Sequence, residues 1–147
     1  MLNSSEVPVA QSALLVIDVQ QSFFAGDRWA RRGNKDFEKN VAALIELYRE
    51  ASLPVFFIMH TDPDPGFRTT DPEFKLMDFL KPRASEPLLV KNTRNSFTST
   101  TLQADLLHRG VRKVVITGIQ TEQCCETTAR VAADLGYAVD FLTRSGS

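Results

Sequence analysis

Cysteine is almost missing from this sequence, and the two that occur, Cys124 and Cys125, are adjacent. Adjacent thiols give neither a disulfide framework nor a four-ligand zinc pattern. Long apolar runs are absent too. The longest, 13–17 and 55–59, fall far short of the roughly 20 residues that cross a bilayer. The opening Met-Leu-Asn-Ser-Ser-Glu carries neither the basic patch nor the apolar block of a signal peptide, so a cytoplasmic location is expected. Neither sign of charge dominates. With 17 Lys and Arg against 18 Asp and Glu, the net charge is -1, which recommends no nucleic-acid partner and no anionic membrane. No Gly-x-Gly-x-x-Gly follows the first apolar run and no Walker-type loop occurs, which argues against a nucleotide-binding fold.

What is present is an ordinary globular composition, 43% hydrophobic and 24% charged, at a length of 147 residues that fits one domain over 1–147. Five short apolar runs punctuate it, at 13–17, 55–59, 88–90, 113–117 and 138–142. Most lack polar alternation, as strands buried on both faces of a parallel sheet do. Between the first two, 36–51 places Phe37, Val41, Leu44, Ile45 and Tyr48 at helical spacing and is followed by Pro54. A second helix is expected over 98–108, with Leu102, Leu106 and Leu107 on one side and Gly110 as its C-cap. A third starts just after Thr121 and ends at Gly136. Strands alternating with helices in this way indicate βαβ units and a doubly wound α/β sheet. The stretch 61–87 is the exception: its five prolines leave room only for a short helix around 74–80, and it reads as a binding loop.

In open parallel sheets, ligands bind beyond the carboxyl ends of the strands. Asp18 directly follows Leu-Leu-Val-Ile, Lys91 follows Leu-Leu-Val, and Cys124 lies just beyond Val-Val-Ile-Thr-Gly at the start of a helix. Each has a plain structural explanation: a turn former, a solvated cation, a small hydrophobe. Together, a nucleophile, a carboxylate and a cation are a working set for acyl transfer. Thr121 is a suitable N-cap, which puts Cys124 in the first helical turn, where unpaired backbone N–H groups favour thiolate and can hold an oxyanion. Cys125 is rotated by about 100° around the same helix and is assigned to the core.

The blocks Asp18-Val-Gln-Gln-Ser-Phe-Phe24, Val90-Lys91 with Ser96-Phe97 and Leu102, and Gly118-Ile-Gln-Thr121-Glu-Gln-Cys124 resemble the three signature blocks of the isochorismatase-like cysteine hydrolases. The resemblance spans 13–143 in order and spacing. It implies a catalytic triad of Asp18, Lys91 and Cys124 on a three-layer Rossmann-like sheet, with the backbone of Gln120, Thr121 and Cys124 at the oxyanion and a cis peptide at Ile119-Gln120. It also implies the strand order 3-2-1-4-5, with the family's sixth strand and following helix not present by residue 147. That would leave strand five as an edge, and a homo-oligomer is expected.

The resemblance departs from the nicotinamidases at one point. Those carry Asp-x-His and a further His to hold a metal, whereas this chain reads His60-Thr-Asp62-Pro-Asp64 with no second His nearby. No metal and no other cofactor is expected. Phe23, Phe24, Trp29, His60 and Phe67 are the candidate pocket residues, His60 being equally readable as a satisfied structural histidine. Arg28, Arg31 and Arg32 form either a solvated surface or a seat for an anionic group, and Ser96 and Thr98 read as helix-capping residues. The implied activity is metal-independent hydrolysis of a C–N bond in a small amide or ureido compound through an acyl-enzyme. The alternatives are an isochorismatase-type vinyl-ether hydrolase, which needs no cysteine, and a non-catalytic binding or redox-sensing α/β module.

Overall fold

The computed structural model describes residues 9–22, 35–118 and 125–141. After a 3-10 turn at Val9–Gln11, strands and helices alternate: β1 (Ser12–Ile17), α1 (Lys35–Glu50), β2 (Val55–His60), β3 (Leu88–Lys91), α2 (Leu102–His108), β4 (Lys113–Gly118), α3 (Glu126–Asp134) and β5 (Ala138–Phe141). All pairings are parallel, in the order β3-β2-β1-β4-β5, the Rossmann-like arrangement that the resemblance implies.

Alternate side chains of a strand point to opposite faces, so one sheet feeds two cores. Ala13, Leu15 and Ile17 of β1 join Phe56, Ile58, Val114 and Ile116 beneath Leu102 and Leu106 of α2 and Ala132 of α3. Leu14 and Val16 join Val55, Phe57 and Val115 against Phe37, Val41, Ile45 and Tyr48 of α1. Those four α1 residues recur every three or four positions, which is why one helical stripe closes this face. The strand at the centre, β1, is buried along its whole length, so a side chain at its exit starts from the interior.

The edge strand β3 departs from the expectation of burial on both faces: Leu88 is 48% and Val90 40% exposed. Their register partners, Phe57 and Met59 of β2, are buried, because α1 and the following loop cover the inner strands and stop short of this edge. The expected helix around 74–80 is also corrected. That stretch is a series of turns, with Leu76 bridging Gln20 and with Met77 and Leu80 buried under the sheet. Burying those two side chains and pairing with the chain after β1 satisfies the segment without helical hydrogen bonds. The second helix begins at Leu102 rather than 98, because Asn95 Oδ1 takes the N–H groups of Phe97 and Thr98 and holds the preceding residues in a turn.

All three described α-helices stop in the same way. The N–H groups of Leu53, Val111 and Tyr137 bond back to Tyr48, Leu106 and Ala132, and the residue before each lies in the left-handed region. Gly110 (φ 71°) and Gly136 (φ 99°) fill that position in α2 and α3, but α1 uses Ser52 (φ 59°). A Cβ there costs free energy that glycine avoids. Ser52→Gly is therefore expected to stabilise the protein by about 0.5–1 kcal/mol. A melting midpoint that falls in the variant would refute this reading of the α1 terminus.

Candidate active site

Asp18 is the first residue beyond β1. Its N–H donates to Ile58 O at 2.8 Å, which keeps it in line with the sheet, while its φ of 63° turns the side chain out of strand geometry. Asp is one of the few residues that enter this region readily. The carboxylate is 1% exposed, and neither of its oxygens has a hydrogen-bond partner among the described residues. What faces it is Lys91, the last residue of β3, whose Nζ lies 3.3 Å from Oδ1. Lys91 is itself fully buried. The contact is electrostatic rather than a well-formed hydrogen bond, so the carboxylate keeps acceptor capacity for another donor.

Asp18 and Lys91 do not sit on adjacent strands, because β2 lies between β1 and β3. Neighbouring strands are about 4.8 Å apart, so a side chain from β3 must cross the end of β2 to reach β1. Lysine's four-carbon stem has that reach.

The residue it crosses is His60, the last of β2. Lys91 Nζ lies 3.2 Å from His60 Nδ1, and His60 Nε2 lies 3.0 Å from Asp62 Oδ2. The His60 backbone is held by one side chain: Gln20 Oε1 accepts its N–H at 2.7 Å, and Gln20 Nε2 donates to its carbonyl at 3.0 Å. Gln20, fully buried, thus extends the β1–β2 pairing past the point where β1 ends. The same segment pairs on its other side with the long loop, Gln21 N donating to Lys75 O and Met77 N to Val19 O, so 73–77 walls the site beside Asp18. Phe67 packs edge-on against His60, with ring centroids 6.2 Å apart.

Four expected residues are therefore together: Asp18, Lys91, His60 and Phe67. Cys124, Gln120 and Thr121, together with Phe23, Phe24, Trp29, Arg28, Arg31, Arg32 and the Ile119-Gln120 bond, lie outside the described residues. Cys125 is fully buried in the core, and a Cβ built on Gly118 would fall 2.7 Å from its sulfur and 2.1 Å from Ile17 O. The residue after Cys124 is thus packed against the residue before Asp18.

Sequence reasoning missed Gln20 and a buried hydroxyl pair, and it named Asp62 without its His60 partner. Ser96 is not a helix cap: its N–H donates to Thr128 Oγ1 at 2.9 Å, tying the loop after Lys91 to α3. Polar residues within a signature block, Gln20 and Ser96, were the only signal for two of these. A divalent ion does not fit at His60. One ring nitrogen faces an ammonium, the other is taken by Asp62, and no group of three His, Cys, Asp or Glu suited to a metal occurs among the described residues.

A cavity of about 320 Å³ opens at the opposite end of the sheet, between Arg49, Arg83, Glu86, Arg109 and the start of β2. Two of its three arginines, Arg49 and Arg109, serve structure. Arg49 makes a two-pronged pair with Glu86 and holds that carboxyl below its ordinary range, while Arg109 lies over the Phe56 ring. Arg49 and Arg109 sit at helix carboxyl ends, where cations complement the helix dipole.

A parallel α/β sheet with a buried carboxylate beyond its central strand β1 and a buried ammonium at the end of its edge strand β3 defines an enzyme-like site of the doubly wound class. Residues 12–143 match the Isochorismatase domain family. The chain is 33% identical over 129 residues to the uncharacterized isochorismatase family protein YrdC of Bacillus subtilis, covering 86% of this chain and 68% of that one. It is 34% identical to Nicotinamidase 3 of Arabidopsis thaliana, covering 90% and 71%. The structure of N-carbamoylsarcosine amidase from Thermoplasma acidophilum superposes with a TM-score of 0.79 at 26% identity, covering 90% and 81%. The chain belongs to the isochorismatase family and is a hydrolase. No described helix is long and apolar enough to cross a membrane.

Proposed function

We propose that the protein is a cysteine-dependent amidohydrolase that cleaves the C–N bond of a small amide or ureido compound through a covalent acyl-enzyme. The observation that carries this is the buried Asp18 carboxylate, 3.3 Å from the Lys91 ammonium and with no hydrogen-bond donor among the described residues. A desolvated carboxylate left open in this way is costly unless another group uses it. The likeness to a nicotinamidase and to an N-carbamoylsarcosine amidase supports the bond class.

In this reading Asp18 accepts the Cys124 thiol proton as the sulfur attacks the carbonyl carbon, and the carbonyl π electrons move onto oxygen. Backbone N–H groups of Gln120, Thr121 and Cys124 hold that oxyanion. The oxyanion collapses, the C–N bond breaks, and Asp18 returns its proton to the leaving nitrogen. Water, losing a proton to Asp18, then attacks the thioester. The thiolate leaves and takes that proton back, releasing the acid. Lys91 keeps the carboxylate and the sulfur electrostatically paired throughout. His60 and Phe67 line the substrate pocket with Phe23, Phe24 and Trp29. No metal takes part, in keeping with the His60 donor set.

Ammonia release from a library of small amides and ureides tests this directly. Turnover of at least one compound, unchanged after exhaustive dialysis against chelator, is expected. Activity lost to chelator and restored by zinc or manganese would refute metal independence. A library without turnover, joined to reversible oxidation of Cys124 and Cys125, would favour the redox-sensing alternative.

The exposed Leu88 and Val90 on the β3 edge of the described sheet favour association with a second copy, and a homo-oligomer is the working species we propose. Light scattering at micromolar concentration that finds a stable monomer would refute this.

A further inference from the structure

We propose that His60 and Asp62 act as a positioning pair that aims the Lys91 ammonium, with Asp62 selecting the imidazole tautomer that Lys91 needs. The proposal rests on the reading of Cys124 as nucleophile and deepens it. An ammonium can only donate, so at 3.2 Å His60 Nδ1 must accept from Lys91. A neutral imidazole has one N–H, which is then on Nε2 and donates to Asp62 Oδ2 at 3.0 Å. The carboxylate is itself fixed, because its other oxygen accepts the Asp64 N–H at 2.8 Å. The charged groups facing the imidazole and the ammonium are thus Asp18 from β1, Asp62 from the loop after β2, and Lys91 from β3.

The ammonium faces Asp18 Oδ1 at 3.3 Å as an ion pair, and one of its three hydrogens is directed to His60 Nδ1. A second hydrogen, with no partner among the described residues, is the one we assign to the Cys124 sulfur. Lysine's stem is flexible, and a point charge on such a stem stabilises a thiolate only while something holds its direction. Gln20 fixes the histidine backbone, and Phe67 fixes the ring by its edge.

The arrangement makes one substitution diagnostic. In Asp62→Asn the Asp64 N–H keeps the amide oxygen at the Oδ1 place, so the NH2 group faces His60 Nε2. That nitrogen must then accept, the ring proton moves to Nδ1, and a donor opposes the Lys91 ammonium. An analogous wrong-tautomer effect accompanies the Asp-to-Asn change in serine protease triads.

Alkylation of Cys124 by iodoacetamide, followed by mass spectrometry between pH 5 and 9, reads the result without a known substrate. Asp62→Asn is expected to raise the pH midpoint of Cys124 alkylation by about one unit, slowing it about tenfold near neutral pH. Loss of a carboxylate's charge alone would move the midpoint the other way. His60→Leu, with no acceptor, should match Asp62→Asn. His60→Asn, whose amide oxygen replaces Nδ1, should alkylate like the unsubstituted protein, and the double variant His60→Asn, Asp62→Asn should behave like His60→Asn alone. A normal midpoint in Asp62→Asn, or its defect persisting in the double variant, overturns the proposal and leaves the pair a structural one. If Cys124 in the unsubstituted protein is not alkylated at all, the nucleophile assignment falls first and the pair's role falls with it.

Discussion

Asp18→Asn is expected to lower kcat by about 10³- to 10⁴-fold, and adding Cys124→Ala to it should cost almost nothing more. Asparagine is the informative replacement because it also tolerates the left-handed backbone that Asp18 adopts at φ 63°, so the chain path is kept. What is lost is the acceptor for the thiol proton and the anion that Lys91 faces. Groups that act as one unit give losses that do not multiply. Two single losses that did multiply would mean that Asp18 and Cys124 work separately. Removing one charge of a buried pair costs about 3–5 kcal/mol of stability, so turnover is to be compared well below each variant's melting midpoint. Cys125→Ala should keep turnover, since its sulfur is packed in the core. Preferential alkylation of Cys125 over Cys124 would reverse the two assignments.

Gly118→Ala should be the most damaging single-methyl change in the described residues, at about 3 kcal/mol, the upper end of what overpacking usually costs. Gly118 ends β4 beside Ile17 of β1, and its added Cβ would meet Ile17 O at 2.1 Å and Cys125 Sγ at 2.7 Å. The first neighbour is backbone and cannot turn aside. Relief requires β1 and β4 to separate where Asp18 and the chain toward Cys124 diverge, so activity and stability should fall together. Cys125→Ala removes only the second clash and should not rescue the variant. A Gly118→Ala protein with an unchanged melting midpoint would show that these strands do not approach as described.

Much of the fold could be read locally. The apolar runs became β1, β2 and β4 to within a residue at either end, and the Phe37, Val41, Ile45, Tyr48 spacing became the buried stripe of α1. Strand and helix periods are properties of the chain itself, and the same holds for Gly110 and Gly136, whose positive φ marks two helix ends. Asp18 and Lys91 were found because each directly follows an apolar run, and a parallel sheet brings such residues to one edge.

What the sequence could not determine depends on contacts between distant segments. Which strands lie at the edge decided that Leu88 and Val90 stay exposed, although their run looks as apolar as the others. Burial of Met77 and Leu80 decided that 74–80 needs no helix. The presence of β2 between β1 and β3 made His60 the residue that Lys91 must pass, and so gave it a partner 31 positions away. Gln20 and His60, 40 positions apart, and Ser96 and Thr128, 32 apart, are matched by hydrogen-bonding capacity alone, which leaves no period in the chain. The sequence by itself determined the secondary elements and the chemistry at the strand ends, because both follow from local pattern. Only the tertiary structure decided which polar groups meet, because a buried donor takes the acceptor that packing brings within about 3 Å.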